Sequence, residues 1–203
     1  LLVQMGYLRH GSPGEFRLGP TLIEYGFTAL NQDPLPVVAR ESLEALAERT
    51  QDTIHLSVED GESVLYLHKI PGTRGAEMRS RIGHRMPMTR TGVGKALLLG
   101  QDDRWEHLFV AENPGADSAA VDAFVKRMQG YTRVGASLDL EENEPGIRCV
   151  AAPIREGSGD IVAGISLSAT RPFMPKDRMQ ALVPVMKAAA REISVKLGYR
   201  QGQ

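Results

Sequence analysis

Two hairpins with tight turns limit the folds that this 203-residue chain can adopt. Residues 53–58 and 63–69 alternate between apolar and polar side chains on either side of Asp60-Gly61, a strong two-residue turn signal. Residues 157–160, Gly-Ser-Gly-Asp, form a second turn between the strand-like stretches 147–154 and 161–168. Strands joined by such short turns pair antiparallel. The chain is therefore predicted to contain a mostly antiparallel sheet.

Helical patterns lie before, between and after these hairpins. Pro20 suits the first turn of one helix, and Asp33 and Pro34 suit the cap and first turn of the next. Further helices are predicted over residues 92–99, over 102–110, from a cap at Asp117 or Ser118 to a stop at Gly130, and from Pro175 to about Gly198. Residues 131–137 are predicted as a strand, and 78–82 as a weaker one. Helices packed on an antiparallel sheet make an α+β domain.

Composition excludes several classes of protein. A chain with 42% hydrophobic and 24% charged residues resembles ordinary globular domains. The net charge of −1 does not indicate a nucleic-acid binder as a whole, and no apolar run is long enough to cross a membrane. A single cysteine, Cys149, excludes an internal disulfide and suits a reducing compartment. The N-terminus lacks the pattern of a signal peptide, so we expect a cytoplasmic protein.

The first 18 residues have the pattern of a small structural remnant. Residues 1–5 suit the end of a helix that Gly6 stops, and residues 7–9 and 16–18 are strand-like pieces around the turn cluster 11–14. A helix followed by a small hairpin is how a winged-helix DNA-binding domain ends, although an arbitrary hairpin would look the same. Arg9, His10 and Arg17 give this hairpin positive charge, which suits contacts to DNA phosphates.

Motifs of catalysis and of nucleotide binding are incomplete. Gly92-Val93-Gly94-Lys95-Ala96 lacks the residues that a Walker loop or a Rossmann fingerprint requires, but two glycines at a helix start leave backbone N–H groups open to an anion or allow close packing on a sheet. The Gly164–Ser168 stretch lacks the closing glycine of a nucleophile elbow. The five histidines show no metal-binding spacing, so no metal or cofactor is predicted.

Ser166 and Ser168 lie two residues apart in a predicted strand, so both point to the same face of the sheet. Two hydroxyls on a face that should be apolar indicate either a polar pocket or two satisfied core serines, and the pattern alone favours the core. Cys149 is on another predicted strand, where a buried thiol is usually inert. With His55 or His68 as its base it would be a nucleophile, but no Cys–His spacing supports this.

Read in order, several segments resemble the IclR family of bacterial transcriptional regulators. They span nearly the whole chain: Gly6-Tyr7-Leu8 to Phe16-Arg17-Leu18-Gly19, then 39–58, 78–83, Met86-Pro87, 91–96, Glu141-Glu142, GIRCVAAP at 146–153, 165–168, and 193–199 with Leu-Gly-Tyr at its end. The resemblance implies a GAF-like curved antiparallel sheet with flanking helices, preceded by a linker helix and a remnant of a winged-helix wing. The implied domains are 1–18 (end of the winged helix-turn-helix), 19–33 (linker) and 34–203 (effector-binding).

The resemblance also implies what the domain binds. Family members sense small organic acids or aromatic metabolites, act as homodimers or homotetramers, and bind operator DNA. Members that bind small oxo-acids use backbone at the GxGKA loop, an aspartate before the Glu-Glu pair, the cysteine strand and the two serines. In this chain the implied ligand residues are Gly92, Val93, Asp139, Cys149, Ser166 and Ser168, with apolar walls from Met78, Met86 and Ile147.

Arg90, just before the glycine loop, is a departure from the simplest oxo-acid binders. It suits a carboxylate anchor, which favours a sugar acid, but it would equally well pair with a surface carboxylate such as Glu77. The sequence thus predicts the effector-sensing part of a regulator of a catabolic operon, not an enzyme. DNA binding is expected of a full-length parent. The alternatives are a hydrolase using Cys149 or Ser166, and a ligand-free oligomerisation module.

Overall fold

The computed structural model describes residues 1–75 and 78–200. The backbone forms two compact units, the first Leu1–Val37 and the second beginning at Val38. The first unit contains an antiparallel hairpin, β1 (Leu8–His10) and β2 (Phe16–Leu18), followed by helix α1 (Pro20–Gln32). Residues 2–6 form hydrogen-bonded turns in place of the expected helix end, and Gly6 takes a positive φ of 74°.

The second unit is built on one six-stranded sheet. Its strands are β3 (Thr53–Asp60), β4 (Ser63–Ile70), β5 (Arg85–Pro87), β6 (Ser137–Leu140), β7 (Ile147–Arg155) and β8 (Ile161–Thr170). They lie in the order β5-β4-β3-β8-β7-β6, and every neighbouring pair is antiparallel. The sheet is curled into a half-barrel, which confirms the predicted GAF-like α+β fold. Both predicted hairpins are present, as β3–β4 and β7–β8.

In the described part of the chain, five α-helices accompany this sheet: α2 (Leu35–Thr50), α3 (Gly92–Leu97), α4 (Trp105–Glu112), α5 (Ser118–Val134) and α6 (Lys176–Lys196). Short 3-10 helices occur at Asp102–Arg104 and Arg171–Phe173. The helix α2 begins after Asp33, whose Oδ1 accepts a hydrogen bond from Leu35 N–H at 2.9 Å, as the capping pattern predicts.

Helix α3 covers one face of the sheet. Its Val93 and Leu97 are buried in the same hydrophobic cluster as Cys149 and Ala151 of β7. Strand alternation turns Val150 to the opposite face, and α6 also packs against β7 and β8. Ser168 pairs with Cys149 and Ser166 pairs with Ala151, so both serines lie on the sheet face that α3 covers.

The predicted strand at 131–137 is wrong. Helix α5 continues through Gly130 to Val134 and ends at Gly135, which has a φ of 72° and donates its N–H to Tyr131 O at 2.7 Å. Phe124, Met128 and Tyr131 lie along one helical face, so burial favours the extra turn over a stop at Gly130. The strand begins only at Ser137.

The weaker predicted strand at 78–82 is also absent from the described residues. The edge strand is β5, and the backbone of the preceding loop is held instead by the Lys69 ammonium, which donates to Met78 O at 2.7 Å and to Ser80 O at 2.8 Å. A side chain thus holds this loop next to the sheet, in place of strand-to-strand hydrogen bonds. No sequence periodicity marks such a segment.

Candidate functional site

A cavity of about 200 Å³ lies at the N-terminus of α3, over the sheet face that carries the serines. For comparison, a cavity of about 150 Å³ in another protein holds a benzene molecule. This volume suits a small metabolite. The lining residues are His55, Tyr66, Met78, Arg79, Ser80, His84, Met86, Thr91, Gly92, Val93, Asp139, Asn143, Glu144, Ile147, Cys149, Ser166 and Ser168.

The start of α3 brings backbone donors to this cavity. Thr91 is the N-cap, and its Oγ1 accepts a hydrogen bond from Gly94 N–H at 3.0 Å. The N–H groups of Gly92 and Val93 have no acceptor within the helix because they belong to its first turn. A Cβ atom on Gly92 would lie 2.8 Å from Cys149 Sγ, so this close approach of the backbone to β7 requires glycine. Gly92 and Val93 both line the cavity.

The strand register brings the two serines and the cysteine together. Ser168 pairs with Cys149 of β7, and Ser166 pairs with His55 of β3. Ser166 and Ser168 are buried and both line the cavity. Burial raises the pKa of the Cys149 thiol to about 12, so it stays protonated at neutral pH. A protonated, buried thiol is a polar wall of the cavity and a poor nucleophile.

Asp139 is a buried carboxyl at one end of the cavity. It pairs with Cys149 in the β6–β7 ladder, and its Oδ1 accepts a hydrogen bond from Glu142 N–H at 2.8 Å. Burial raises the pKa of Asp139 to about 6, although Lys95 acts in the opposite direction. Lys95 is fully buried, and its ammonium contacts Glu142 Oε2 at 2.6 Å. Glu142 also pairs with Arg127 of α5.

Histidine and tyrosine rings form another wall. His55 stacks on Tyr66 with ring centroids 4.6 Å apart, and its Nε2 lies 2.7 Å from Ser80 Oγ. Burial, with a smaller effect of the Lys69 charge, lowers the pKa of His55 to about 3. The imidazole is therefore neutral at physiological pH and offers a hydrogen-bonding group without a charge.

Nine of the ten ligand residues expected from the sequence line this one cavity, including the apolar walls Met78, Met86 and Ile147. Arg90 does not: it is exposed and lies just before the N-cap of α3. Its suggested partner Glu77 lies outside the described residues. The arginine that lines the cavity is Arg79, from the loop before β5.

Sequence reasoning missed several lining residues. His55 and Tyr66 face the cavity because of the register between β3, β4 and β8. Alternation along β3 or β4 shows which residues share a sheet face, but only the register shows which of the two faces borders the cavity. Arg79, Ser80, His84, Asn143 and Glu144 come from irregular segments, where no periodic signal exists. Only Thr91 had a usable signal, because it is a capping residue directly before the glycine loop.

The register also bears on catalysis, because it places His55 directly opposite Ser166. The residue order had offered no base for this serine. With a pKa of about 3, however, His55 is a weak base at neutral pH. Within residues 1–75 and 78–200, no three His, Cys, Asp or Glu side chains gather as a metal site. In the same part of the chain, no helix is both long and apolar enough to cross a membrane.

The other expected surface is the β1–β2 hairpin. Arg9 and Arg17 are paired across its two strands, His10 pairs with Phe16, and all four side chains are exposed. Arg9 and Arg17 therefore lie directly across from each other on the two strands of the hairpin.

A curled antiparallel sheet with a small-molecule-sized cavity under a short helix defines a GAF-like domain. Residues 27–195 match the family model described as "Bacterial transcriptional regulator IclR C-terminal". The chain is 31% identical over 201 residues to the HTH-type transcriptional regulator KdgR of Escherichia coli K12, covering 96% of this chain and 76% of that protein. It is also 31% identical to the regulator XynR of the same strain, covering 96% of this chain and 79% of that protein.

Solved structures agree with the sequence matches. The Thermotoga maritima IclR structure superposes with a TM-score of 0.80 at 28% identity, covering 98% of this chain and 82% of that one. The C-terminal domain of Escherichia coli KdgR gives a TM-score of 0.68 at 30% identity, covering 82% of this chain and 100% of that one. This chain belongs to the IclR family of bacterial transcriptional regulators, and the C-terminal domain is their effector-binding part. The relatives are named as regulators of transcription and not as enzymes.

Proposed function

We propose that the domain senses a small organic acid, an oxo-acid or a sugar acid, in the cavity at the start of α3. The observation that carries the proposal is that Gly92 and Val93, in the first turn of α3, line the same small cavity as Ser166 and Ser168. Backbone N–H groups at a helix start suit a carboxylate, and the hydroxyls suit an oxo group or the hydroxyls of a sugar chain.

Apolar walls add selectivity for a small ligand. Met78, Met86 and Ile147 line the cavity beside the polar groups, as is typical of sites for metabolites. Arg79 supplies a guanidinium group that would form an ion pair with a carboxylate ligand. The proposal no longer depends on Arg90, because that side chain is exposed and does not line the cavity.

In the full-length parent, we propose that occupancy of this cavity changes the affinity of the protein for the operator of a catabolic operon. Residues 1–18 would be the end of the winged helix-turn-helix and 19–33 the linker. Arg9, His10 and Arg17 of the exposed hairpin would contact DNA phosphates, which give affinity but no sequence information. We propose no catalytic step, because the Cys149 thiol is protonated and the base nearest to Ser166 is weak.

A thermal-shift panel tests acid binding. Pyruvate and gluconate represent oxo-acids and sugar acids, and phenol represents neutral aromatics. At a concentration 100-fold above Kd, a ligand adds about 2.7 kcal/mol of stability, so Tm should rise by about 5–10 °C for a domain of this size. The double variant Ser166→Ala/Ser168→Ala should lose most of this shift, whereas Arg90→Ala should keep it.

Two results would count against the proposal. One is an equal shift for the wild type and the double serine variant, which would place the acid elsewhere. The other is a response to phenol and to neither acid. Turnover of an ester or amide substrate by the wild type, lost in Ser166→Ala or Cys149→Ala, would support the hydrolase alternative instead.

We also propose that the protein is a homodimer or homotetramer. Helix α1 has no buried residue, and Leu22, Ile23 and Phe27 are exposed on it. Apolar side chains gathered on an uncovered helix favour association with another copy. Light scattering at about 10–100 μM, a range that suits a micromolar affinity, should give a mass of two or four chains. Ile23→Glu/Phe27→Glu should lower it, and a monomeric wild type would contradict the proposal.

A further inference from the structure

Asp139 is a buried acid that faces the proposed ligand without a cation of its own. It is 4% exposed and lines the cavity. Among the described residues, no lysine, arginine or histidine nitrogen lies within ion-pair distance of its carboxyl group. The buried cation nearby, Lys95, contacts Glu142 instead, at 2.6 Å. The position of Asp139 in the sheet is fixed by its pairing with Cys149 and by the Glu142 N–H bond to Oδ1.

A carboxylate held at the start of α3 would lie close to this acid. A Cβ atom on Gly92 would be 3.5 Å from the backbone nitrogen of Asp139, so the two backbones border the same end of the cavity. Two carboxylates in one poorly solvated site repel each other strongly. The usual outcome is that the pair retains one proton between them, which turns repulsion into a short, charge-assisted hydrogen bond.

We propose that acid binding is coupled to the uptake of one proton by Asp139, so that occupancy of the sensor depends on pH as well as on the concentration of the acid. The inference rests on the proposed function. The proton comes from solvent and is added to a carboxylate oxygen of Asp139, which then donates a hydrogen bond to the bound carboxylate. No covalent bond to carbon forms or breaks, and the complex carries the single negative charge that the ligand carboxylate brings.

Several groups around Asp139 do not compete with it for that proton. From α3 and the loop after β6, Lys95 and Glu142 form a pair of opposite charges that Arg127 of α5 extends. Burial raises the pKa of Cys149 to about 12 and that of Tyr131 to about 12, and it raises the pKa of Tyr66 further, so all three are already protonated. The remaining titratable or charged groups at the cavity wall are His55, Arg79, His84 and Glu144.

His55 does not compete for the proton, because burial lowers its pKa to about 3. The pKa of Asp139, raised by burial to about 6, agrees with the geometry: a bound carboxylate in the same poorly solvated site raises it strongly further, above the pH of neutral and mildly alkaline solutions, so Asp139 is protonated in the complex. Between about pH 6 and the higher pKa of Asp139 in the complex, the free protein must take up a proton to bind, so the affinity should fall about tenfold per pH unit; below about pH 6 the proton is already present and the affinity should level off.

Calorimetry measures the coupling directly. Gluconate and pyruvate are titrated into the wild type at about pH 8 in buffers that differ in ionisation enthalpy, which gives the number of protons taken up. We expect about one proton per bound acid in the wild type. Asp139→Asn imitates the protonated acid, so it should bind with no proton uptake and with an affinity independent of pH. Asp122→Asn, which neutralises an exposed carboxyl of α5 outside the cavity, should keep the wild-type uptake.

Three results would overturn the coupling: acid binding by the wild type without proton uptake, uptake that persists in Asp139→Asn, or uptake lost in Asp122→Asn. If Asp139→Asn does not fold, infrared difference spectroscopy of the wild type decides, because binding should add a protonated carboxyl band at about pH 8, and its absence would refute the coupling. Failure of both acids to bind at every pH between about 5 and 8 would instead refute the proposed function.

Discussion

Replacing Glu142 with glutamine should destabilise the second unit by about 3 kcal/mol, because it removes the counter-charge of a fully buried ammonium. Lys95 is 0% exposed, and Glu142 is its ion-pair partner at 2.6 Å. Breaking a buried pair on one side costs about 3–5 kcal/mol, and the lower value applies here because the glutamine oxygen still accepts a hydrogen bond from Lys95. Denaturant unfolding followed by the fluorescence of the single, buried Trp105 measures the change.

The same variant should show a characteristic pH dependence. Burial lowers the pKa of Lys95 from its ordinary 10.5, and the charge of Glu142 opposes that shift. Without Glu142 the folded-state pKa of Lys95 falls further, so the unfolded chain binds more protons than the folded one between that lowered pKa and about pH 10. The free energy of unfolding of the variant should therefore rise with pH in this range, and the difference from the wild type should become smaller.

Glu41→Gln is the matched control for this experiment. Glu41 also pairs with a lysine, Lys196, at 3.0 Å, but its side chain is 87% exposed. Exposed pairs contribute little, so this substitution should change stability by less than about 0.5 kcal/mol. Equal losses of stability from the two substitutions would show that burial of Lys95 does not increase the contribution of its ion pair.

Gly94→Ala should also destabilise the domain strongly, by about 3 kcal/mol, the upper part of the range for overpacking. A Cβ atom at this position would lie 2.3 Å from Met88 O and 2.6 Å from Met88 Cα. These are backbone atoms of a fully buried residue, so no side-chain rotation relieves the clash. Helix α3 must then move away from Met88, and acid binding should weaken together with stability.

Gly130→Ala provides the opposite expectation in another helix. Gly130 lies inside α5, and a Cβ atom there would meet nothing within 4 Å. Alanine favours a helix over glycine, so this variant should gain about 0.5–1 kcal/mol. Comparing the two unfolding curves separates the clash from the helix propensity. A stabilised Gly94→Ala protein would contradict the close packing of α3.

The parts of the fold that sequence patterns predicted are those with local causes. The Asp60-Gly61 turn and the alternation on both sides of it define β3 and β4, and Asp33 and Asp117 accept hydrogen bonds at their helix starts as predicted. Gly130 misled the prediction because a helix-stop signal is weaker than the burial of Tyr131 against the core. Tertiary packing decided that boundary, and single-residue signals do not contain it.

The candidate site divides in the same way. Its nine expected residues came mainly from the family resemblance, since spacing alone left Ser166 and Ser168 open between a core and a pocket. His55 and Tyr66 depend on the register of three strands, and Arg79 and Ser80 on the path of an irregular loop. The Arg90 expectation considered only distance along the sequence, whereas the turn before α3 leaves this side chain exposed.

A crystal structure of the domain with the acid that gives the largest thermal shift tests the central claim most directly. We predict density for the acid inside the cavity, with its carboxylate within hydrogen-bond distance of Gly92 or Val93 N–H and another oxygen next to Ser166 or Ser168. A different cleft competes for an anion, because Arg155, Lys187 and Arg191 line it and none of its other lining residues in the described part of the chain carries a carboxylate. An acid bound there, with the cavity at α3 empty, would contradict the account.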